Sequence, residues 1–145
     1  MKEQQKAAPR CLIAVSALCG IAGLILYLTN GTNKLSPDLS MSAIIAFAAV
    51  SGIGVIAVIA GLVTKKASTL FSYAQYLAGL VAFAEYLVSQ ANYIANVVYG
   101  VDGNTFTPAM IATAAVSLLA WVLALVAAIQ LRRAAYRRDL AAQEV

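Results

Sequence analysis

The sequence predicts an all-α integral membrane bundle of four transmembrane helices, and three observations carry that expectation. The chain of 145 residues is 62% hydrophobic and 11% charged, with a mean hydropathy of +0.83, outside the range of a water-soluble domain. Four apolar runs, 11–29, 43–63, 77–98 and 108–131, each come close to the ~20 residues that cross ~30 Å of hydrocarbon. The basic residues are distributed by side. Lys2, Lys6 and Arg10 precede the first run, Lys65 and Lys66 join the second to the third, and Arg132, Arg133, Arg137 and Arg138 follow the fourth. Lys34 alone lies opposite, so the positive-inside rule expects both termini in the cytoplasm of a cell membrane. This topology accounts for the net charge of +4 and leaves nucleic-acid binding without support.

The first run follows a basic segment, as in a signal peptide. No small-x-small cleavage site follows Leu28, so the run is expected to be retained as a span. One of its faces collects Ser16, Cys19, Gly20, Gly23 and Tyr27. Cys11 and Cys19 share the helix about 12 Å apart, too far for a disulfide. In the connection before the second run, Ser36 before Pro37 reads as an N-cap with proline at the first helical position. Ala48, Gly52, Ala57 and Gly61 are small residues at packing spacing, within the chain or between copies. Gly52, Gly54 and Ala57 formally match a dinucleotide-binding pattern, but no strand precedes them.

The third run carries far more polarity than a lipid-facing span should. At 100° per residue Glu85, Ser89, Asn92, Asn96 and Tyr99 share one side, with Tyr86, Gln90 and Tyr93 adjoining. An unpaired polar group in hydrocarbon costs several kcal/mol, so this face must meet protein or water. The turn at Asp102-Gly103 leads to Thr107 and Pro108, a second cap-and-proline start. The fourth run brings Ala120, Ala124 and Ala128 as a packing face, and Trp121 mid-span as a core residue.

An internal repeat organises the runs. Ala43, Ile45, Ala46, Ala48, Ala49, Val50 and Ser51 recur in order and spacing as Ala109, Ile111, Ala112, Ala114, Ala115, Val116 and Ser117. The same register aligns Tyr27 and Asn30 with Tyr93 and Asn96. Residues 1–145 therefore read as a single transmembrane domain of two tandem parallel hairpins, about 6–66 and 72–138. The register also aligns Arg10 with Tyr76 and Cys19 with Glu85, which starts the third span near Leu77 and puts Glu85 near the midplane.

No lysine, arginine or histidine lies within the spans to pair with Glu85, so its expected hydrogen-bond partners are Ser51, Ser117, Ser16 and Cys19. On the two-fold model, Gly20 and Gly23 admit the bulk of Tyr86 and Tyr93. With no histidine and two separated cysteines, neither a metal site, a cofactor nor an enzymatic constellation is expected. The functional expectation is a non-enzymatic accessory or assembly subunit whose third-helix face engages a membrane protein partner or a second copy. The alternative is a small oligomeric carrier or channel for a polar solute or proton, with amides and tyrosines toward the outer side to bind it.

Overall fold

The computed structural model describes residues 4–32, 35, 37–64 and 69–144; Lys2, Lys34, Ser36, Lys65 and Lys66 lie outside them. Among the described residues the chain is all-α. Its helices are α1 (Gln4–Asn30), α2 (Met41–Thr64), α3 (Thr69–Ser89), α4 (Ala91–Val98) and α5 (Pro108–Gln143), with a single 3₁₀ turn at Val101–Gly103. Three of them, α1, α2 and α5, are long and apolar enough to cross a membrane. The 21-residue α3 carries Ser72, Gln75 and Glu85 and is less apolar.

Glycines and hydroxyls set the helix ends. The Gly31 N–H bonds the Tyr27 carbonyl at 2.7 Å, and a Cβ there would run into that carbonyl and the Leu39 side chain, so the exit from α1 requires glycine. The cap-and-proline reading put the start of the second helix at Pro37, ahead of the apolar run 43–63. Instead α2 begins at Met41, because Ser40 caps it, its Oγ accepting the Ala43 N–H at 3.5 Å and its carbonyl the Ile44 N–H at 3.1 Å. Thr107 caps α5 as expected, accepting the Met110 N–H at 3.2 Å with Pro108 in the first turn.

The four long helices form a ring in which α1 and α3 each pack against both α2 and α5. Small residues let the backbones approach. A Cβ on Gly20 would sit 2.9 Å from Val50 Cγ1, and one on Gly23 2.8 Å from Phe47 Cε1, so these two glycines receive α2 rather than Tyr86 and Tyr93. Gly79 lies against the backbone of Trp121, whose indole stacks between Tyr76 and Phe83 at centroid distances of 6.3 and 6.4 Å. Ala120, Ala124 and Ala128 are buried, and so is Gly61, whereas Gly52 and Ala48 face outward with open space beside Gly52. Tyr27, Phe47, Val50, Ala82, Tyr86 and Ala120 fill the axis, and Ile13, Ala127 and Leu131 fill it nearer the termini.

The third run is where the structure departs most from the sequence reading. The helix expected over 77–98 starts at Thr69 and is interrupted at Gln90 (φ −102°, ψ 3°), so Asn92, Tyr93 and Asn96 belong to a separate short helix, α4. In space Tyr27 is matched by Tyr86, not by Tyr93. Both rings lie on the bundle axis, and each hydroxyl bonds the start of the helix that follows. Tyr93, which the repeat register sets beside Tyr27 in sequence, lies on α4 and bonds the Thr105 carbonyl instead.

Candidate functional site

The polar residues predicted to share one face converge only in part, at the end of the bundle where α1 joins α2. Ser42, second residue of α2, donates from Oγ to Glu85 Oε2 at 2.7 Å, and the Ser40 and Ser42 hydroxyls lie 2.8 Å apart. Glu85 is half-buried on the seam between α2 and α3, with Ala84, Val88, Met41 and Ile45 exposed around it. Sixteen residues separate it from the start of α3, and its bond to Ser42 sets it level with the first turn of α2.

The partners named for Glu85 are engaged elsewhere. Ser51 Oγ donates to the Phe47 carbonyl at 2.9 Å, and Ser117 Oγ to those of Thr113 and Ala114 at 2.8 and 3.0 Å. Ser16 Oγ crosses from α1 to the Ala120 carbonyl of α5 at 2.6 Å. Cys19 packs half-buried against the aromatic core. A hydroxyl in a helix reaches a carbonyl of its own preceding turn more readily than a distant carboxylate. Their depth also separates Ser51 and Ser117 from the helix ends, where Glu85 lies.

Tyr86 and Gln90 turn inward. The Tyr86 hydroxyl donates to the Met110 carbonyl at 3.2 Å, and Gln90, buried, donates from Nε2 to the Gly31 carbonyl at 2.8 Å. Ser89 Oγ bonds the Tyr86 carbonyl of its own helix at 2.7 Å. On α4, Tyr93 donates to the Thr105 carbonyl at 2.9 Å, Asn96 is half-buried, and Asn92 and Tyr99 are exposed. Beside the Gln90 break, Thr29, Asn30, Thr32, Gln90, Tyr93 and Thr107 line an open pocket of about 270 Å³, together with Ala109 and Met110. Its lining holds hydroxyls and amides and no charged side chain.

No protein-family model matches the chain, and neither does a curated protein or a solved structure. The chemistry must be read from these residues alone.

Sequence reasoning missed Ser42 as the partner of Glu85, because it lies ahead of the apolar run that begins at Ala43. It also missed Gln75 and Ser72, which lie ahead of the run that begins at Leu77. Both are fully buried, Gln75 donating to the Ile13 carbonyl at 3.3 Å while its Oε1 and the Ser72 hydroxyl have no protein partner. A polar residue on the same face as the buried Ala82 and Tyr86 was the available signal.

Proposed function

We propose that this chain is a non-enzymatic accessory subunit of a membrane complex, with α1, α2, α3 and α5 spanning the bilayer and both termini in the cytoplasm. Lys6, Arg10, Arg132, Arg133, Arg137 and Arg138 gather at one end, while Asp38, Glu85 and Asp102 lie toward the other, in keeping with the positive-inside rule. Two tandem hairpins, the second longer by α4, fit the matching roles of Tyr27 and Tyr86.

The observation that carries the reading is Glu85. A carboxylate fixed by Ser42 amid exposed Ala84, Val88, Met41 and Ile45 is costly against lipid, and a partner's basic or hydroxyl side chain would relieve that cost. The packed aromatic axis and the place of Glu85 level with the first turn of α2 both favour assembly over passage of a proton through the bundle.

The test places a photo-crosslinking side chain at Val88, exposed one turn from Glu85. Glu85→Gln keeps an acceptor for Ser42 and is expected to retain the crosslinked partner. Glu85→Leu is expected to lose it with the fold intact. Equal crosslinking in both variants would remove Glu85 from the interface.

A second reading is favoured by the pocket beside α4. Its volume lies near the ~300 Å³ lower bound of small-molecule pockets, and its uncharged hydroxyl and amide lining suits a short polyol. Saturation-transfer NMR with glycerol, in the native chain and in Tyr93→Phe, checks it. Signal that is absent from the native chain, or unchanged by the substitution, would set it aside.

A further inference from the structure

The short helix α4, between α3 and α5, has an exposed side. Ile94, Val97 and Val98 fall on one stripe of α4, the first two half-buried and Val98 exposed, with Asn92 and Asn96 on the other; none of its residues is fully buried. Val98 is 68% and Tyr99 82% exposed, and the chain beyond adds exposed Val101 and Phe106. From Tyr86 to Thr107 the only charged residue is Asp102. Val88 near the end of α3 and Ile111 in the first turn of α5 are exposed as well.

We infer that α4 and the turn after it form an interfacial anchor, lying among the headgroups of the outer leaflet with Val98, Tyr99 and Phe106 in contact with lipid. This goes beyond the accessory reading and rests only on its membrane topology. An amphipathic helix at this level buries its apolar stripe at the headgroup–acyl boundary and leaves its amides in water. Tyrosine and phenylalanine suit that layer, tyrosine because its ring is apolar and its hydroxyl wet. The absence of lysine and arginine from the segment fits a leaflet of neutral headgroups, since an acidic surface would draw on basic residues. The same placement holds Tyr93 beside the polar pocket, so lipid contact on one side of α4 would fix the wall on the other.

The test is depth-resolved tryptophan quenching in the full chain, reconstituted in phosphatidylcholine vesicles. Trp121, the native tryptophan, is replaced in Trp121→Phe, and Tyr99→Trp or Val98→Trp is added to it. Leu18→Trp, on the exposed face of α1, serves as the span control. The expected result is blue-shifted emission at both α4 positions, quenched more by lipid brominated near the carbonyls than by deep-brominated lipid, with Leu18→Trp showing the reverse order. Water-like emission with full iodide quenching at Tyr99→Trp and Val98→Trp would overturn the anchor while Leu18→Trp upheld the span. Blue-shifted emission that neither quencher reaches would overturn it in favour of a protein contact. Failure of Leu18→Trp to respond to either lipid would overturn the topology and the anchor with it.

Discussion

The rings of Tyr27 and Tyr86 meet edge to face, with centroids 5.9 Å apart and planes at 86°. Tyr27 accepts the Ser40 N–H at 2.9 Å, and Tyr86 donates to the Met110 carbonyl at 3.2 Å. One aromatic contact on the axis thereby ties the end of α1 to the start of α2, and the end of α3 to the start of α5. The pair forms a clasp at the loop end of the bundle.

The two hydroxyls are unequal, which gives a first prediction. Tyr27→Phe leaves a part-buried N–H without its acceptor and is expected to cost about 1–2 kcal/mol. Tyr86→Phe removes one donor from a helical carbonyl, at about 0.6 kcal/mol. Thermal unfolding in lipid nanodiscs should rank Tyr27→Phe as the more destabilised; the reverse order would contradict the bonding described.

Glycine substitutions separate the inside of the bundle from its exterior. Gly23→Ala places a methyl group 2.8 Å from Phe47 Cε1 and is expected to destabilise by about 1–3 kcal/mol. Gly52→Ala meets nothing within 4 Å and is expected to be neutral, or stabilising by up to ~1 kcal/mol through helix propensity. Equal losses, read by the same unfolding assay, would mean that Gly52 is covered by another chain.

Gln75 presents the opposite case, a buried amide that uses one long hydrogen bond and leaves Oε1 unpaired by protein. Gln75→Leu keeps similar volume and removes the orphaned acceptor, so stability is expected within about 1 kcal/mol of the native chain or above it. A loss above ~2 kcal/mol would show that Oε1 carries a bond in the membrane.

Much of this architecture was legible in residues whose chemistry is local. Apolar length located α1, α2 and α5, and Thr107-Pro108 located the start of α5, because capping is decided within one turn. The third run misled because hydrophobic period alone carries through Gln90, and nothing in the spacing announces the break that its tie to Gly31 accompanies. Tyr86 and Tyr93 stand two turns apart on that period, so the sequence places both on nearly the same face. Only the contact with Tyr27 distinguishes them. Ser42 enters as the partner of Glu85 from ahead of the apolar run that begins at Ala43, where hydropathy gave no signal.

The proposed subunit role is tested most directly by the mass and composition of the particle extracted from its native membrane in a lipid-preserving medium, for the native chain and for Glu85→Leu. A second membrane protein is expected in fixed stoichiometry with the native chain and lost from the Glu85→Leu particle. A lone chain or a homo-oligomer of unchanged mass in both would contradict it.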